Sequence, residues 1–182
     1  MAAEVAAGER AVTAAIRVAR TVSGRDTIVM FTGAYHGIFD EVLVRPAKAG
    51  NKMRAMPIAP GIPIAMTDNV LVLEYGTPET LRTIKAMGTQ IAAVLVETVQ
   101  SRRPDLLPRE FLHELRKITA ESDTALIFDE VVTGFRIHPG GAQAFFGVRA
   151  DIATYGKVIG GGLPIGVVTG SAKYMDALDG GS

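Results

Sequence analysis

Lys157 and Asp129, which lie twenty-eight residues apart, are the two residues of this chain with the clearest chemical potential. Asp129 directly follows the apolar run 125–128, and Lys157 opens the glycine-rich stretch Lys-Val-Ile-Gly-Gly-Gly-Leu-Pro-Ile-Gly. A lysine amine that is partly withdrawn from water is a nucleophile toward aldehydes. A buried carboxylate requires a cationic partner. The pair therefore predicts a ligand that carries both an aldehyde and a cationic group, and pyridoxal phosphate (PLP) is a cofactor with both.

The residues around this pair form a long signature that resembles the class III (subgroup II) aminotransferases of PLP fold type I. The signature comprises residues 128–136, 140–141, 146–148, 151–152 and 156–166, with Gly-Ala-Tyr-His-Gly at 33–37 upstream. Within this family the chain is similar to glutamate-1-semialdehyde aminomutase and to aminotransferase modules of mixed polyketide/non-ribosomal peptide synthetases. The resemblance extends from about Gly8 to nearly the C-terminus.

The resemblance implies roles for individual side chains in the complete enzyme. Lys157 would form the Schiff base with PLP and act as general acid and base. Asp129 would hold the ring nitrogen protonated, although Glu130 could do the same by charge alone. Tyr35 and Val131 would cover the two faces of the ring. Glu130 is then expected to support its own loop.

A second group of polar residues follows the apolar strand 91–96. The resemblance implies that Glu97 orients groups in the site and that Gln100 reaches the phenolic oxygen of the cofactor. Arg102 is a candidate substrate-binding residue, with a solvated surface arginine as the alternative. His36 has no partner that the sequence identifies, so a structural hydrogen bond is its expected role.

Gly8 is expected to contribute to the binding of the cofactor phosphate, but its neighbours depart from the family pattern. That pattern is close to Ser/Thr-Gly-Ser/Thr-Glu-Ala, whose hydroxyls and amides bind phosphate at a helix N-terminus. Here the chain reads Ala-Gly-Glu-Arg-Ala over 7–11, so Glu9 would place a negative charge beside a dianion. Either the phosphate site is damaged or residues 1–10 are not native to it, and cofactor affinity should suffer.

Composition narrows the class of protein and its partners. The 182 residues are 48% hydrophobic and only 6% aromatic, which is enough for one sizeable aliphatic core. A formal net charge of zero gives no attraction to nucleic acids or anionic membranes. Because there is no cysteine, disulfides and thiolate sites are excluded, and no metal site is predicted. No apolar run reaches the length of a membrane span and the start is not a secretory signal, so a cytoplasmic location is expected.

Apolar runs alternate with helical patterns along the chain, which predicts an α/β fold with a mostly parallel sheet and helices on both faces. The strands are predicted over 27–31, 42–44, 70–73, 91–96, 125–128, 152–155 and 167–169. Helices are predicted over 11–22, from a Thr77 cap with Pro78 at the first position, and over 108–121. Residues 48–68 are predicted to be irregular. Because ligands bind beyond the carboxyl ends of parallel strands, the polar residues that follow these runs should meet.

The favoured function is PLP-dependent transamination between an amine donor and a carbonyl acceptor, including a beta-keto acyl substrate on a carrier protein. A glutamate-1-semialdehyde-type 2,1-aminomutase would use the same residues, and a catalytically inactive fragment is an alternative of another class. Since family members are much longer, residues 1–182 are expected to be a partial PLP-binding large domain that lacks the N-terminal segment and the C-terminal small domain. The full-length form is expected to be a homodimer. The isolated chain should bind PLP weakly or not at all, show no measurable transamination and expose apolar surface that is prone to association.

Overall fold

A six-stranded sheet organises the fold of the chain. The structure is a computed structural model that describes residues 2–49 and 52–177. In chain order the strands are β1 (Thr27–Phe31), β2 (Val44–Ala49), β3 (Lys52–Pro57), β4 (Val70–Leu73), β5 (Ile91–Val96), β6 (Ala125–Asp129), β7 (Ile152–Tyr155) and β8 (Val167–Gly170). The sheet has the order β4-β1-β5-β6-β7-β8, whereas β2 and β3 form a separate antiparallel hairpin. Only the β7–β8 pair of the large sheet is antiparallel, which confirms the predicted mostly parallel sheet.

Five described α-helices cover the two faces of this sheet. They are α1 (Ala2–Ser23), α2 (Pro78–Met87), α3 (Arg109–Glu121), α4 (Gly141–Phe146) and α5 (Ala172–Met175). Apolar side chains of α1 and α5 belong to the core on one face, and those of α2, α3 and α4 belong to the core on the other. The predicted placement of helices on both faces is therefore confirmed. No helix in the described part of the chain combines the length and the apolar character that crossing a membrane requires.

The central strands and the helices that flank them form where the sequence predicts them. Every residue of β5 and β6 is buried, as expected for strands that are covered on both sides. Thr77 caps α2 by accepting a hydrogen bond from the N–H of Thr80, and Pro78 is its first residue. On α3, the apolar side chains Leu112 and Leu115 are fully buried against the sheet. Buried apolar surface thus fixes the frame from which the polar loops project.

Helix α1 begins earlier than predicted, at Ala2 instead of residue 11. The additional residues are mostly alanine and glutamate, which are strong helix formers, and a single glycine does not stop the helix. The prediction that Gly8 lies at a helix N-terminus is therefore wrong. Only the first four N–H groups of a helix lack a partner within it, so the amides of Gly8 and Glu9 belong to the helical hydrogen-bond ladder.

Three shorter elements also differ from the predictions. The strand predicted over 42–44 is wrong, because β2 begins at Val44 and runs to Ala49, where Arg45, Pro46 and Lys48 interrupt any apolar run. The segment 48–68 is not wholly irregular, since it contains β3 and a 3-10 turn, Ile64–Thr67, while residues 50 and 51 lie outside the described residues. Pro46 is tolerated because the hairpin has no strand beyond its edge. Helix α4 was not predicted, since six residues carry too little periodic signal.

Candidate active site

A cavity of about 240 Å³ lies at the carboxyl edge of the sheet. Its walls come from the loops that follow β1, β5, β6 and β7, together with the first half of α1. The residues that line it are Gly8, Glu9, Val12, Tyr35, His36, Gly37, Glu97, Asp129, Val131, Val132 and Lys157. The structure thus brings together six of the predicted site residues, which are separated by up to about 150 positions in the chain, at the sheet edge where parallel strands bind ligands.

Asp129 is the last residue of β6, and hydrogen bonds hold its carboxylate in one orientation. Its Oδ2 lies 2.7 Å from Nδ1 of His36. Its Oδ1 accepts hydrogen bonds from the N–H of Val131 at 3.2 Å and from the hydroxyl of Thr154 at 3.4 Å. Asp129 is only 4% exposed, so this carboxylate is both buried and oriented at the cavity wall.

His36 is a partner of Asp129 that the sequence did not identify. The two residues are 93 positions apart, and nothing in the Gly-Ala-Tyr-His-Gly turn points to a particular carboxylate. The His36 side chain is fully buried, and its Nε2 has no partner among the described residues. The expected structural hydrogen bond is present, but its partner is the candidate catalytic aspartate, so His36 belongs to the site.

Lys157 enters the cavity from a turn with an unusual backbone. Its φ is +49°, in the left-handed region that residues with a side chain rarely adopt. The residue opens the 3-10 turn Lys157–Gly160, and Gly161 and Gly162 continue with φ of +55° and +98°. The glycines let the chain reverse direction immediately after the lysine. Lys157 itself is half-buried and lines the cavity.

Val131 lies where α1, the loop after β6 and the Lys157 turn meet. A Cβ atom placed on Gly8 would lie 3.0 Å from Cγ1 of Val131. One placed on Gly156 would lie 3.3 Å from the same atom and 3.4 Å from Cα of Gly8. Both glycines are therefore needed for the close approach that places the apolar Val131 side chain at the cavity wall.

Glu97 joins two loops beside the cavity. Its Oε2 accepts a hydrogen bond from the N–H of Tyr35 at 2.9 Å, and its Oε1 accepts one from the N–H of Ser101 at 2.9 Å. Glu97 is buried, whereas Tyr35 is 38% exposed at the cavity wall. The carboxylate thus holds the loop after β1 against the loop after β5 and fixes the backbone of Tyr35.

Two predicted site residues do not reach the cavity. The Gln100 side chain donates a hydrogen bond to the carbonyl oxygen of Thr32 at 3.0 Å and accepts one from Nε of Arg103 at 3.2 Å. Gln100 is buried in the loop packing and not at the cavity wall. Arg102 is exposed and is also absent from the wall. The loop after β5 therefore places Glu97, and not Gln100 or Arg102, in the site.

Glu130 points away from the cavity toward helix α4. Its carboxylate accepts hydrogen bonds from the N–H of Ala142 at 2.5 Å and from the N–H and side-chain amide of Gln143 at 3.4 Å. Burial raises the pKa of Glu130, although these hydrogen bonds act in the opposite direction. Glu130 supports its own loop, as expected, and does not compete with Asp129 for a ligand.

Glu9 brings a further carboxylate to the cavity from helix α1. Its Oε1 accepts a hydrogen bond from the N–H of Ile38 at 2.8 Å. Among the described residues, the cavity wall therefore carries three carboxylates, from Glu9, Glu97 and Asp129, against one lysine and one histidine. This excess of acidic groups favours cationic or neutral ligands over anionic ones.

The donor set of the cavity fits the pyridine ring of PLP but not its phosphate. An oriented carboxylate, a lysine and the apolar Val131 match the ring nitrogen, the aldehyde and a ring face. For a phosphate, the described wall offers no serine, threonine or arginine, and the amides of Gly8 and Glu9 lie within a helix. The fit is thus good at one end of the cofactor and poor at the other.

Comparisons with known proteins identify the family. The family model described as aminotransferase class III matches residues 2–182. A glutamate-1-semialdehyde 2,1-aminomutase from Methanococcus maripaludis (strain C5) is 44% identical over 174 residues, which is 94% of this chain and 40% of that protein. The chain thus spans about 40% of the length of this curated relative.

Solved structures agree with the sequence similarity. An omega-transaminase from Sphaerobacter thermophilus superposes with a TM-score of 0.84 at 38% identity, over 93% of this chain and 40% of that one. A transaminase with PLP bound gives a TM-score of 0.82 at 34% identity, with the same coverage of 93% and 40%. The sheet and its flanking helices therefore match part of these larger proteins, and the chain belongs to the class III aminotransferase family.

Proposed function

We propose that this chain is the central part of the PLP-binding large domain of an enzyme that transfers amino groups. The observation that supports this most directly is the shared cavity, in which Lys157 and the oriented carboxylate of Asp129 meet at the carboxyl edge of the sheet. For the complete enzyme we propose a 2,1-aminomutase of the glutamate-1-semialdehyde kind, since the curated relative described above carries that name at 44% identity.

The side chains of the cavity would divide the work of holding PLP, which supplies an aldehyde and an electron-withdrawing ring. Lys157 would bind the aldehyde carbon through its amine and, when free, hold or release a proton as general acid and base. Asp129 would keep a proton on the ring nitrogen, because a carboxylate stabilises a cation beside it. His36 would keep Asp129 in orientation through its 2.7 Å contact.

The apolar and aromatic residues would exclude water from the ring. Val131 would cover one face, and Tyr35, with its backbone held by Glu97, would lie over the other at the mouth of the cavity. Exclusion of water strengthens the attraction between Asp129 and a protonated ring nitrogen, since electrostatic energies rise as the local dielectric constant falls.

A transaminase with separate donor and acceptor substrates is the second candidate function. The structural likeness to the Sphaerobacter thermophilus omega-transaminase, with a TM-score of 0.84, favours it. The relatives described above give no support to a carrier-bound substrate or to a synthetase module. We keep the aminomutase first because its sequence identity is higher than that of the omega-transaminase, 44% against 38%.

A homodimer is the proposed assembly of the complete enzyme. Large apolar side chains are exposed in the loop that follows β6 and in the turn that follows Lys157, including Phe135, Val158 and Leu163, of which Leu163 is 63% exposed. Exposed apolar groups gathered in one region are typical of an interaction surface. A second subunit on this side would cover them and help to enclose the cavity.

Reductive trapping tests the proposed cofactor site. Pyridoxal or PLP condenses with a lysine amine with loss of water, and borohydride reduces the resulting C=N bond to a stable amine. Mass spectrometry of peptides should then place the adduct on Lys157, and Lys157→Ala should lose it. Labelling of Lys117 or Lys173 in preference to Lys157 would contradict the assignment.

Substrate turnover distinguishes the two reactions in the complete enzyme. An aminomutase moves the amino group of glutamate-1-semialdehyde from C2 to C1 over many cycles without any added amine donor. A transaminase that lacks its second substrate stops after one equivalent per site. Catalytic conversion without a donor supports the aminomutase, and a single equivalent supports the transaminase.

A further inference from the structure

We propose that Glu9 is a specificity-determining residue that selects against the phosphate group of the cofactor. The Glu9 carboxylate would weaken the binding of PLP while leaving the binding of an unphosphorylated pyridine aldehyde, such as pyridoxal, nearly unchanged. The proposal rests on the proposed function, because it takes the aldehyde site at Lys157 as given.

The Glu9 carboxylate is fixed at the cavity wall and is not a free surface charge. Its Oε1 accepts the 2.8 Å hydrogen bond from the N–H of Ile38. Its side chain also packs on Gly37, where an added Cβ would lie only 2.3 Å from Cγ of Glu9. Gly37 has a φ of +108°, which only glycine adopts readily, so this turn is shaped to receive the glutamate.

The charges in the cavity give Glu9 a direct effect on an anionic ligand. A phosphate monoester carries a charge of about −1.5 to −2 near neutral pH. A cavity of about 240 Å³ is narrower than the Debye length of about 8 Å at physiological salt, so salt screens Glu9 only weakly from a charge inside it. Lys157 would be engaged with the aldehyde and Asp129 with the ring nitrogen, which leaves the carboxylates of Glu9 and Glu97 and the His36 ring to face the phosphate.

Apart from Lys157 and His36, the described wall has no basic side chain that could offset this repulsion. Helix N-termini bind phosphate through free amides, but α1 begins at Ala2 and incorporates the amides of Gly8 and Glu9. Tyr35 lies on the wall, but no arginine, serine or threonine does. A phosphate here would therefore meet a fixed negative charge without the serine, threonine or arginine side chains and free helix amides that often bind it.

The test compares two aldehydes in two forms of the chain. Purified wild-type and Glu9→Gln chains are titrated with PLP and with pyridoxal, then reduced with borohydride, and the adduct on Lys157 is quantified by mass spectrometry. Glutamine is nearly isosteric and can still accept the hydrogen bond from Ile38, so the turn should persist. Glu114→Gln, on the exposed face of α3, is the charge-matched control.

We expect Glu9→Gln to lower the PLP concentration for half-maximal labelling of Lys157 on the order of tenfold. The corresponding concentration for pyridoxal should change less than about twofold, because the free alcohol carries no charge. Each aldehyde is compared only between the wild-type and variant chains, so the difference in intrinsic reactivity between PLP and pyridoxal does not affect the result. Glu114→Gln should leave both concentrations unchanged.

The outcomes separate the inference from the proposed function. If both aldehydes label Lys157 and Glu9→Gln changes the two titrations equally or not at all, the selection by Glu9 is wrong while the cofactor site stands. If neither aldehyde labels Lys157 in any form of the chain, the proposed function fails and the inference fails with it. A selective gain for PLP supports the inference.

Discussion

The two sides of the carboxyl end of β6 carry neighbouring carboxylates with opposite environments. On the cavity side, Asp129 meets His36 and remains next to space that a ligand can fill. On the side of α4, Glu130 meets two backbone amides and one side-chain amide, and an added Cβ on Gly141 would lie 2.3 Å from its Oε2. One carboxylate faces a cavity, while the other is enclosed by protein.

This difference shows that the partners of a carboxylate, and not its type or its position after a strand, decide what it does. Glu130 has its acceptor capacity taken by the first turn of α4, so its contribution is to the fold. Asp129 is also held, but by a histidine and beside a cavity, so its charge remains available to a ligand. Substitutions on the two sides should therefore change different measured quantities.

Removal of the Glu130 carboxylate should have the largest effect. Glu130→Ala leaves the buried N–H of Ala142 without its acceptor, which should lower the free energy of unfolding by about 3 kcal/mol. Urea unfolding followed by circular dichroism measures the change. Glu114→Ala, on an exposed face of α3, should change it by less than about 0.5 kcal/mol. Wild-type stability in Glu130→Ala would show that α4 does not depend on this side chain.

Substitution of Gly141 tests how tightly Glu130 is enclosed. Gly141→Ala adds backbone strain at a φ of +68° and a clash with Glu130, at a combined cost of about 2 kcal/mol of unfolding free energy. Gly24→Ala is the matched control, because Gly24 has a φ of +65° and no atom within 4 Å of the added Cβ. The excess over the control should largely disappear in a Glu130→Ala background. An equal cost for the two glycines would mean that no clash exists.

Neutralisation of Asp129 should change ligand binding and leave folding nearly unaffected. Asp129→Asn removes a charge-assisted hydrogen bond to the ring nitrogen, so the pyridoxal concentration for half-maximal labelling of Lys157 should rise about tenfold. The free energy of unfolding should change by less than about 1 kcal/mol. Asp105→Asn, at an exposed site, serves as control. Unchanged labelling in Asp129→Asn would show that another group holds the ring, or that Asp129 is the wrong carboxylate.

The pH dependence of stability should carry a smaller signal from Glu130. Burial raises the pKa of Glu130 above its ordinary value of 4.5, so the folded chain keeps this proton to higher pH than the unfolded chain. The contribution of protonated Glu130 to stability is therefore fully present below its ordinary pKa. It is lost as the pH rises through the raised pKa. Relative to Glu130→Gln, the wild type should lose stability as the pH rises from below 4.5 through the raised pKa of Glu130. A difference that is constant or grows with pH would contradict this sign.

The parts of the fold that carry strong local signals could be predicted from the sequence. Strands β5 and β6 are continuous apolar runs, and α2 begins at a Thr-Pro cap, so their positions follow from local chemistry. The hairpin β2–β3 and helix α4 were missed because six-residue segments carry too little periodic signal to be predicted. Helix α1 extends through residues whose propensity favours it, where the family pattern suggested a phosphate loop.

The composition of the site could be predicted better than its contacts. Six predicted residues line the cavity, and they could be predicted because each follows an apolar run or lies in a recognisable motif. They are Lys157, Asp129, Tyr35, Val131, Glu97 and Gly8. The pairing of His36 with Asp129 could not be read from the sequence, because no local pattern specifies a contact across 93 positions. Residue type alone also could not tell that Asp129 faces the cavity and Glu130 faces α4, since both are carboxylate side chains at the end of one strand.

The bidentate hydrogen bonding of Glu97 has a consequence for the motions of the cavity mouth. One carboxylate accepts the N–H of Tyr35 and the N–H of Ser101, which lie on loops 66 positions apart in sequence. When Glu97 rotates away, both amides lose their acceptor in the same event, so their hydrogens should exchange with solvent at correlated rates. The two loops would then open and close as one unit, and the entrance to the cavity would have two states instead of a continuum of independent loop positions.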